Sequence, residues 1–293
     1  MSDECKTCSR DDCPAKSQKP GESAEEYKAR QALTARMCQI RHKLVVLSGK
    51  GGVGKSTVSV NLAAALARAG RKVGLLDVDI HGPSIPRLLD LEGRNVEGTD
   101  HSLFPLKVSD RLSVMSIGLL LRGANDAVIW RGPMKYNAIQ QFLRDVEWGE
   151  LDYLIVDCPP GTGDEPLAVV QLIGDADAAV VVTTPQDLSV ADVRRSIAFC
   201  RRLELPVLGV IENMSGFTCP SCGQRVDIFG VGGGEKLAAE AGVSFLGAIP
   251  IDVEVMRSGE RGQPIVDSKP DSETAKAFQR VIEAITAREE KDA

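Results

Sequence analysis

No run of this sequence is apolar over anything near the length of a membrane span. Nor does its start, Met1-Ser2-Asp3-Glu4-Cys5, hold a signal-peptide core. Positive charge is not in excess: 35 Lys and Arg face 41 Asp and Glu, so nothing points to a nucleic-acid partner. The C-terminal stretch Arg288-Glu289-Glu290-Lys291-Asp292 mixes both signs and is no basic membrane anchor. Histidine is scarce, and His42, His81 and His101 form no ligand spacing. No internal repeat stands out. These absences lead us to expect a cytoplasmic globular protein with neither membrane nor nucleic acid as partner. In that compartment eight cysteines are not read as four disulfides. With 43% apolar residues, 293 residues suffice for one large α/β domain or two small ones.

What is present is a glycine-rich loop in a definite setting. Ser48-Gly49-Lys50-Gly51-Gly52-Val53-Gly54-Lys55-Ser56-Thr57 fits G-x-x-x-x-G-K-[ST]. It lies between an apolar run, Leu44 to Leu47, and a helix-patterned run, Val58 to Ala69. Gly49, Gly51, Gly52 and Gly54 let successive N–H groups turn inward at an anion, and the following helix adds its positive end. In this pattern Lys55 reaches the β- and γ-phosphates and the Ser56 hydroxyl ligates Mg²⁺. A flexible loop without nucleotide is the plain alternative. Lys50, a second lysine near the start of the loop, is the unusual residue.

From Leu44 onward strands alternate with helices, which predicts a mostly parallel sheet covered on both faces. Candidate strands are 44–47, 73–76, 112–117, 151–156, 178–182, 206–211 and 244–248. Candidate helices are 55–69, 136–145, 165–173, 189–202, 233–241 and 271–288. The expectation is an α/β, three-layer P-loop NTPase fold over residues 41–293. It is preceded by a flexible, cysteine-containing segment, 1–40. Within that segment Ser23 and Glu26 form a capping box for a helix running to about Met37.

Ligands in such sheets sit at the carboxyl ends of the strands. One strand ends in Asp77-Val78-Asp79; another ends in Asp157, followed by Cys158-Pro159-Pro160-Gly161. Asp157 is placed to hold Mg²⁺ through water, with Asp77 as a further candidate contact. Asp79 is placed to orient or deprotonate the attacking water, and the Gly161 amide to bond the γ-phosphate. Asn213 follows the strand 206–211 and has the donor–acceptor pair that adenine requires, although a structural turn asparagine is an open alternative. A guanine-specific N-K-x-D is absent, which favours ATP. Pro250 and Asp252 are candidates for the other wall of the base pocket.

Cys219-Pro220-Ser221-Cys222 is a metal-binding knuckle, with a redox dithiol as the competing chemistry. It supplies two of the four ligands that tetrahedral Zn²⁺ or a [4Fe–4S] cluster needs, and no second C-x-x-C follows. The same pair from a second subunit on a two-fold axis is the simplest completion. Cys158 and Cys200 read as small buried residues. Cys5, Cys8 and Cys13 resemble an iron–sulfur ligand set, with Cys38 or a second chain as the source of a fourth ligand; an idle tail is the alternative.

Lys50 within Gly49-Lys50-Gly51-Gly52-Val53-Gly54-Lys55-Ser56-Thr57 resembles the deviant P-loop of the group containing MinD, ParA, the arsenite pump ATPase and the nitrogenase iron protein. Four further motifs narrow the resemblance: Asp77-x-Asp79 with Gly82-Pro83-Ser84, Trp130-Arg131-Gly132-Pro133, the run from Asp157 through Gly161 to Asp164, and Cys219-x-x-Cys222. Together they are similar to the Mrp/ApbC branch, which includes the eukaryotic cytosolic iron–sulfur scaffold ATPases. The resemblance spans residues 42–288. It implies a slow, Mg²⁺-dependent ATPase and a homodimer that carries a [4Fe–4S] cluster between two C-x-x-C pairs and delivers it to apo iron–sulfur proteins. It also implies that Lys50 reaches the partner's nucleotide. The N-terminal cysteines resemble that branch's additional cluster site, but that site has four cysteines and a different spacing. A spatial organiser like MinD or ParA and a zinc-bridged dimeric ATPase are the competing readings.

Overall fold

The computed structural model describes residue 13 and residues 15–292, apart from 81, 100, 101, 121–131 and 175. Cys5, Cys8, His81, His101, Trp130 and Arg131 lie outside the described residues. The chain opens with α1 (Ala24–Cys38), β1 (Ile40–Ser48), α2 (Lys55–Arg68), β2 (Val73–Asp77) and α3 (Ile85–Leu88). Then come β3 (Leu106–Ser109), β4 (Leu112–Ser116), α4 (Gly132–Asp145), β5 (Leu151–Asp157) and α5 (Asp164–Ile173). The second half runs β6 (Ala178–Thr183), α6 (Asp187–Arg202), β7 (Val207–Thr218), β8 (Arg225–Val226) and α7 (Gly233–Ala241). It closes with β9 (Phe245–Ile251), α8 (Val253–Glu260), α9 (Ile265–Ser268) and α10 (Glu273–Asp292).

The sheet order is β3-β4-β2-β5-β1-β6-β7-β8, with β9 also paired to β7. All pairings are parallel except β3 with β4 and β7 with β8. β1 lies between β5 and β6, and the loop that follows it therefore opens at the crevice where chain connections diverge. Alternation along β1 feeds both faces. Leu44 and Val46 join a core with α2 and α10, whereas Val45 and Leu47 join one with α1, α4 and α5. This is the three-layer arrangement that the strand and helix pattern predicts.

Several boundaries differ from the sequence expectation. β1 begins at Ile40 because Ile40 and His42 pair with Leu151 and Tyr153 of β5 despite their polar neighbours. β7 continues to Thr218, well past 211, because β8 and β9 supply partners for its second half. The antiparallel edge strand β3 and the short helices α3, α8 and α9 have too few residues to show a period. The predicted capping box is present: Glu26 N–H donates to the Ser23 hydroxyl and Ser23 N–H to the Glu26 carboxylate. The polar stretch before α1 is tied down from Ala15, which is buried and whose carbonyl accepts from Tyr27 Oη and Gln31 Nε2. α1 itself buries Leu33 and Met37, and Arg36 reaches the Glu147 carboxylate beyond α4. Among the described residues no helix is long and apolar enough to cross a membrane.

Candidate functional site

The loop after β1 is shaped by close approaches as well as by backbone freedom. Gly54 has φ +78°, and a Cβ there would lie 2.3 Å from Asn213 Nδ2. At Gly49 a Cβ would lie 2.5 Å from the backbone of Asp192 in α6. Both positions therefore exclude a side chain. α2 starts directly after Gly54, so Lys55 and Ser56 stand in its first turn, where main-chain N–H groups have no helical partner.

The centre of the cradle is Asp157, fully buried at the end of β5. Its Oδ2 accepts from Ser56 Oγ at 2.6 Å and pairs with Lys55 Nζ at 2.8 Å. Its Oδ1 accepts from Ser59 Oγ at 2.6 Å. Burying this ion pair is tolerable because both carboxylate oxygens are hydrogen-bonded. A hydroxyl and a carboxylate are hard oxygen donors of the kind Mg²⁺ takes, and a buried ammonium beside them suits a phosphate. The residues fit a magnesium nucleotide.

β2 lies against β5 in a register that puts Asp77 level with Asp157. Burial, and secondly the Asp157 charge, push the Asp77 carboxyl up to about 7. Its Oδ1 accepts from Asp79 N–H at 3.1 Å, and its Oδ2 from Ser116 Oγ at 2.9 Å and Ile85 N–H at 3.4 Å. Asp77 thus fastens the loop that follows it to β4. Asp79 is half-buried, and its Oδ1 accepts from Gly82 N–H at 3.2 Å. Gly161, at φ +92°, donates its N–H to the Ser48 carbonyl at 2.8 Å, so in this state that amide is bound to the loop itself. Lys50 is half-exposed, and its carbonyl accepts from Ser48 Oγ at 3.0 Å.

A cavity of about 450 Å³ opens beside Gly54 and Thr57. Asn213, Pro250 and Asp252 all line it, together with Met214, Phe229, Met256 and Phe278. Largely hydrocarbon walls with a few polar groups suit a flat heteroaromatic ring. Asn213 has a second attachment: its Nδ2 donates to Val53 O at 2.9 Å, which pins the loop. Asp252 caps α8 through Glu254 N–H at 2.9 Å and accepts from Thr274 Oγ1 at 2.8 Å.

Cys219 and Cys222 sit at the tip of the β7–β8 hairpin, the first partly buried and the second exposed. Cys219 N–H donates to Gln224 O at 2.9 Å, and Gly223 N–H to Cys219 O at 2.8 Å, closing a tight turn. Main-chain N–H groups of Cys222 and Ser221 lower the Cys219 thiol pKa, favouring the thiolate that binds metals. Among the described residues no third Cys, His, Asp or Glu joins them in a metal-holding group. Burial raises the thiols of Cys158 and of Cys200, the latter to about 11, which keeps both protonated. Cys13 is partly buried before α1, and Cys38 is exposed at the far end of that helix.

Three site residues escaped the sequence reading. Ser59 has a signal, since it stands four residues after Lys55 on the same helix face. Ser116 has none without knowing that β4 pairs with β2. Glu212, wholly buried, accepts from Gly232 N–H at 2.9 Å and Gly234 N–H at 2.6 Å, and from Ser215 Oγ at 2.5 Å. Its signal is a carboxylate closing an apolar strand.

Comparison with known proteins adds to this geometry. The chain is 50% identical over 282 residues to the iron-sulfur cluster carrier protein of Methanocaldococcus jannaschii, covering 96% of this chain and 97% of that one. It is 52% identical over 250 residues to the cytosolic Fe-S cluster assembly factor NUBP2 of Bos taurus, covering 84% and 92%. A solved nucleotide-binding protein of Archaeoglobus fulgidus in complex with ADP superposes with a TM-score of 0.74 at 39% identity, covering 85% of this chain and 96% of that one. A family model of the ParA group, described as NUBPL iron-transfer P-loop NTPase, matches residues 39–286. With the Lys55–Asp157 cradle beside the loop after β1 and the two cysteines in the turn between β7 and β8, the chain belongs to the NUBPL iron-transfer P-loop NTPase family, whose relatives include iron-sulfur cluster carriers.

Proposed function

We propose that this chain is an ATP-hydrolysing carrier that binds a [4Fe–4S] cluster as cargo between two copies of itself and hands it to apo iron–sulfur proteins in the cytoplasm. The observation that carries this reading is the Cys219/Cys222 turn. It presents two thiols at the surface, one lowered in pKa, and two is half the ligand set of such a cluster. A two-fold axis through the hairpin tips completes the set with no further residue type.

The roles of the remaining residues follow. The N–H groups of Gly49 to Thr57 and the Lys55 ammonium hold the phosphates, and the Ser56 hydroxyl and Asp157 hold Mg²⁺, Asp157 through water. Asp79 orients the attacking water for cleavage of ATP to ADP and phosphate. Asp77 supports the Asp79 loop through its bonds to Ser116 and the main chain, and we assign it no contact with the ion. Gly161 exchanges the Ser48 carbonyl for the γ-phosphate, so hydrolysis returns it to the bond seen here. Asn213 keeps one amide hydrogen and Oδ1 for adenine, with Pro250 and Asp252 opposite. Lys50 crosses to the partner's nucleotide. Cys5, Cys8 and Cys13 are candidates for a second iron–sulfur site, whose fourth ligand would come from Cys38 or a second chain.

The test separates cargo binding from delivery. Lys50→Ala is expected to retain the cluster and to slow its ATP-dependent transfer to an apo-ferredoxin, followed by the acceptor's visible circular dichroism. Unchanged transfer with ATP bound would count against nucleotide-driven delivery.

A further inference from the structure

One strand carries both halves of the proposed machine, and its irregularity lies between them. On the loop side, Asn213 of β7 donates to Val53 O at 2.9 Å. On the cysteine side, Phe217 and Thr218 pair with Val226 and Arg225, and Cys219 follows at once. Between these anchors the ladder breaks. Asn213 pairs with Ile249 and Phe217 with Ile251 of β9, so β7 bulges over residues 214–216.

The bulge is held in an unusual backbone state. Met214 has φ +58°, a left-handed conformation that a non-glycine residue seldom adopts in a strand. Gly216 has φ +72°, and a Cβ on it would lie 3.2 Å from both Arg225 Nε and Asp227 Oδ1 of the hairpin. Met214 also faces the nucleotide cavity, and its Cε lies 3.5 Å from where a Cβ on Gly54 would stand. The segment is clamped rather than slack: Ser215 Oγ donates to Glu212 at 2.5 Å, and Glu212 also accepts from two N–H groups of the glycine run that opens α7. That run follows Phe229, another wall of the same cavity.

We propose that the Met214–Gly216 bulge is a positioning element that transmits occupancy of the nucleotide cavity to the Cys219/Cys222 turn. A ring entering the cavity meets Met214. A shift of Met214 within or out of the left-handed region turns the peptides that follow it. Gly216 absorbs the turn and swings the hairpin relative to β9. Coupling of this kind needs an element with two discrete arrangements, and the proposal places them at Met214, between the left-handed region held here and the ordinary β region. The inference rests on the reading above that the cavity takes a nucleotide and the thiol pair a cluster.

The test uses the full chain without cluster and measures two quantities independently. Calorimetry gives affinity for Mg·ADP and for a non-hydrolysable Mg·ATP analogue. Peptide-resolved alkylation by iodoacetamide gives the reactivity of Cys219 and Cys222, with exposed Cys38 as internal reference. In the wild type, nucleotide is expected to change the Cys219/Cys222 rate by about fivefold or more, the lower end of ordinary site-to-site coupling, while Cys38 stays constant. Gly216→Ala, which does not tolerate φ +72°, is expected to bind nucleotide and lose the response. Gly216→Asn adds the same Cβ but adopts the left-handed region more readily, and is expected to recover part of the response. If Gly216→Ala fails to fold, Ser215→Ala replaces it and must show a diminished response. Bound nucleotide with unresponsive wild-type thiols overturns the relay and leaves the nucleotide reading intact, and so does a full response in Gly216→Ala or in Ser215→Ala. Failure of the wild type to bind either nucleotide overturns both.

Discussion

The Ser56 hydroxyl donates to Oδ2 of Asp157 at 2.6 Å, joining the first turn of α2 to the end of β5. Lys55 Nζ shares that oxygen at 2.8 Å, so one buried carboxylate holds a candidate metal ligand and a candidate phosphate ligand together. Asp157→Asn removes the charge from both relations. We expect Mg²⁺-dependent ATP hydrolysis to fall by about a hundredfold or more, as when one preorganised electrostatic partner is lost. Phosphate release assays with a magnesium titration check this. Asp157→Ala, which strands the Lys55 charge in the interior, is expected to lower stability by about 3–5 kcal/mol in denaturant melts.

Gly54 gives a sharper steric case. Its φ of +78° and the 2.3 Å approach of Asn213 Nδ2 both oppose a side chain. Gly54→Ala is expected to cost about 1–3 kcal/mol from backbone strain alone and to lower nucleotide affinity at least tenfold, roughly. Asn213→Ala in the same chain removes the overlap while leaving the strain. The double mutant is therefore expected to be more stable than the sum of the two single losses allows, which a double-mutant cycle in denaturant melts measures.

Asp77 predicts a pH dependence. Its carboxyl lies at about 7 in the folded chain, against about 3.9 unfolded. Between those values the native state holds a proton that the unfolded state has lost. The contribution is fully present below about pH 4 and disappears as pH rises through about 7, with a slope of at most about 1.4 kcal/mol per unit. Unfolding midpoints of metal-free, nucleotide-free protein should show this component, and Asp77→Asn should lack it.

Glu212 predicts a structural loss without any charge partner. Glu212→Ala leaves Gly232 N–H, Gly234 N–H and the Ser215 hydroxyl without their acceptor in a buried place. A destabilisation of about 3 kcal/mol or more is expected in urea unfolding, with Glu212→Gln intermediate because one carbonyl oxygen remains.

The fold was legible where the chemistry is local. Leu44 to Leu47, the glycine loop and the apolar face of α2 carry their own periods, and strand ends at Asp77 and Asp157 place two carboxylates from sequence alone. The Ser23/Glu26 box marks the start of α1 for the same reason. What was not legible depends on which strands become neighbours. Ser116 meets Asp77 only because β4 pairs with β2, and β7 outruns its apolar stretch only because β8 and β9 accept its hydrogen bonds. The bond from Asn213 to Val53 joins residues far apart in the chain, and the left-handed Met214 has no compositional signal. The Cys219/Cys222 pair is visible as a motif, but that it crowns a hairpin is a fact of pairing.

The central claim is that two chains share one cluster through Cys219 and Cys222. It is tested most directly by anaerobic reconstitution with iron and sulfide in a Cys5→Ser, Cys8→Ser, Cys13→Ser background, with and without Cys219→Ala and Cys222→Ala, followed by metal and sulfide analysis and sedimentation. The account predicts one [4Fe–4S] cluster per two chains in a dimer, lost when the pair is removed. Stoichiometric zinc without sulfide, or a cluster that survives removal of both cysteines, would contradict it.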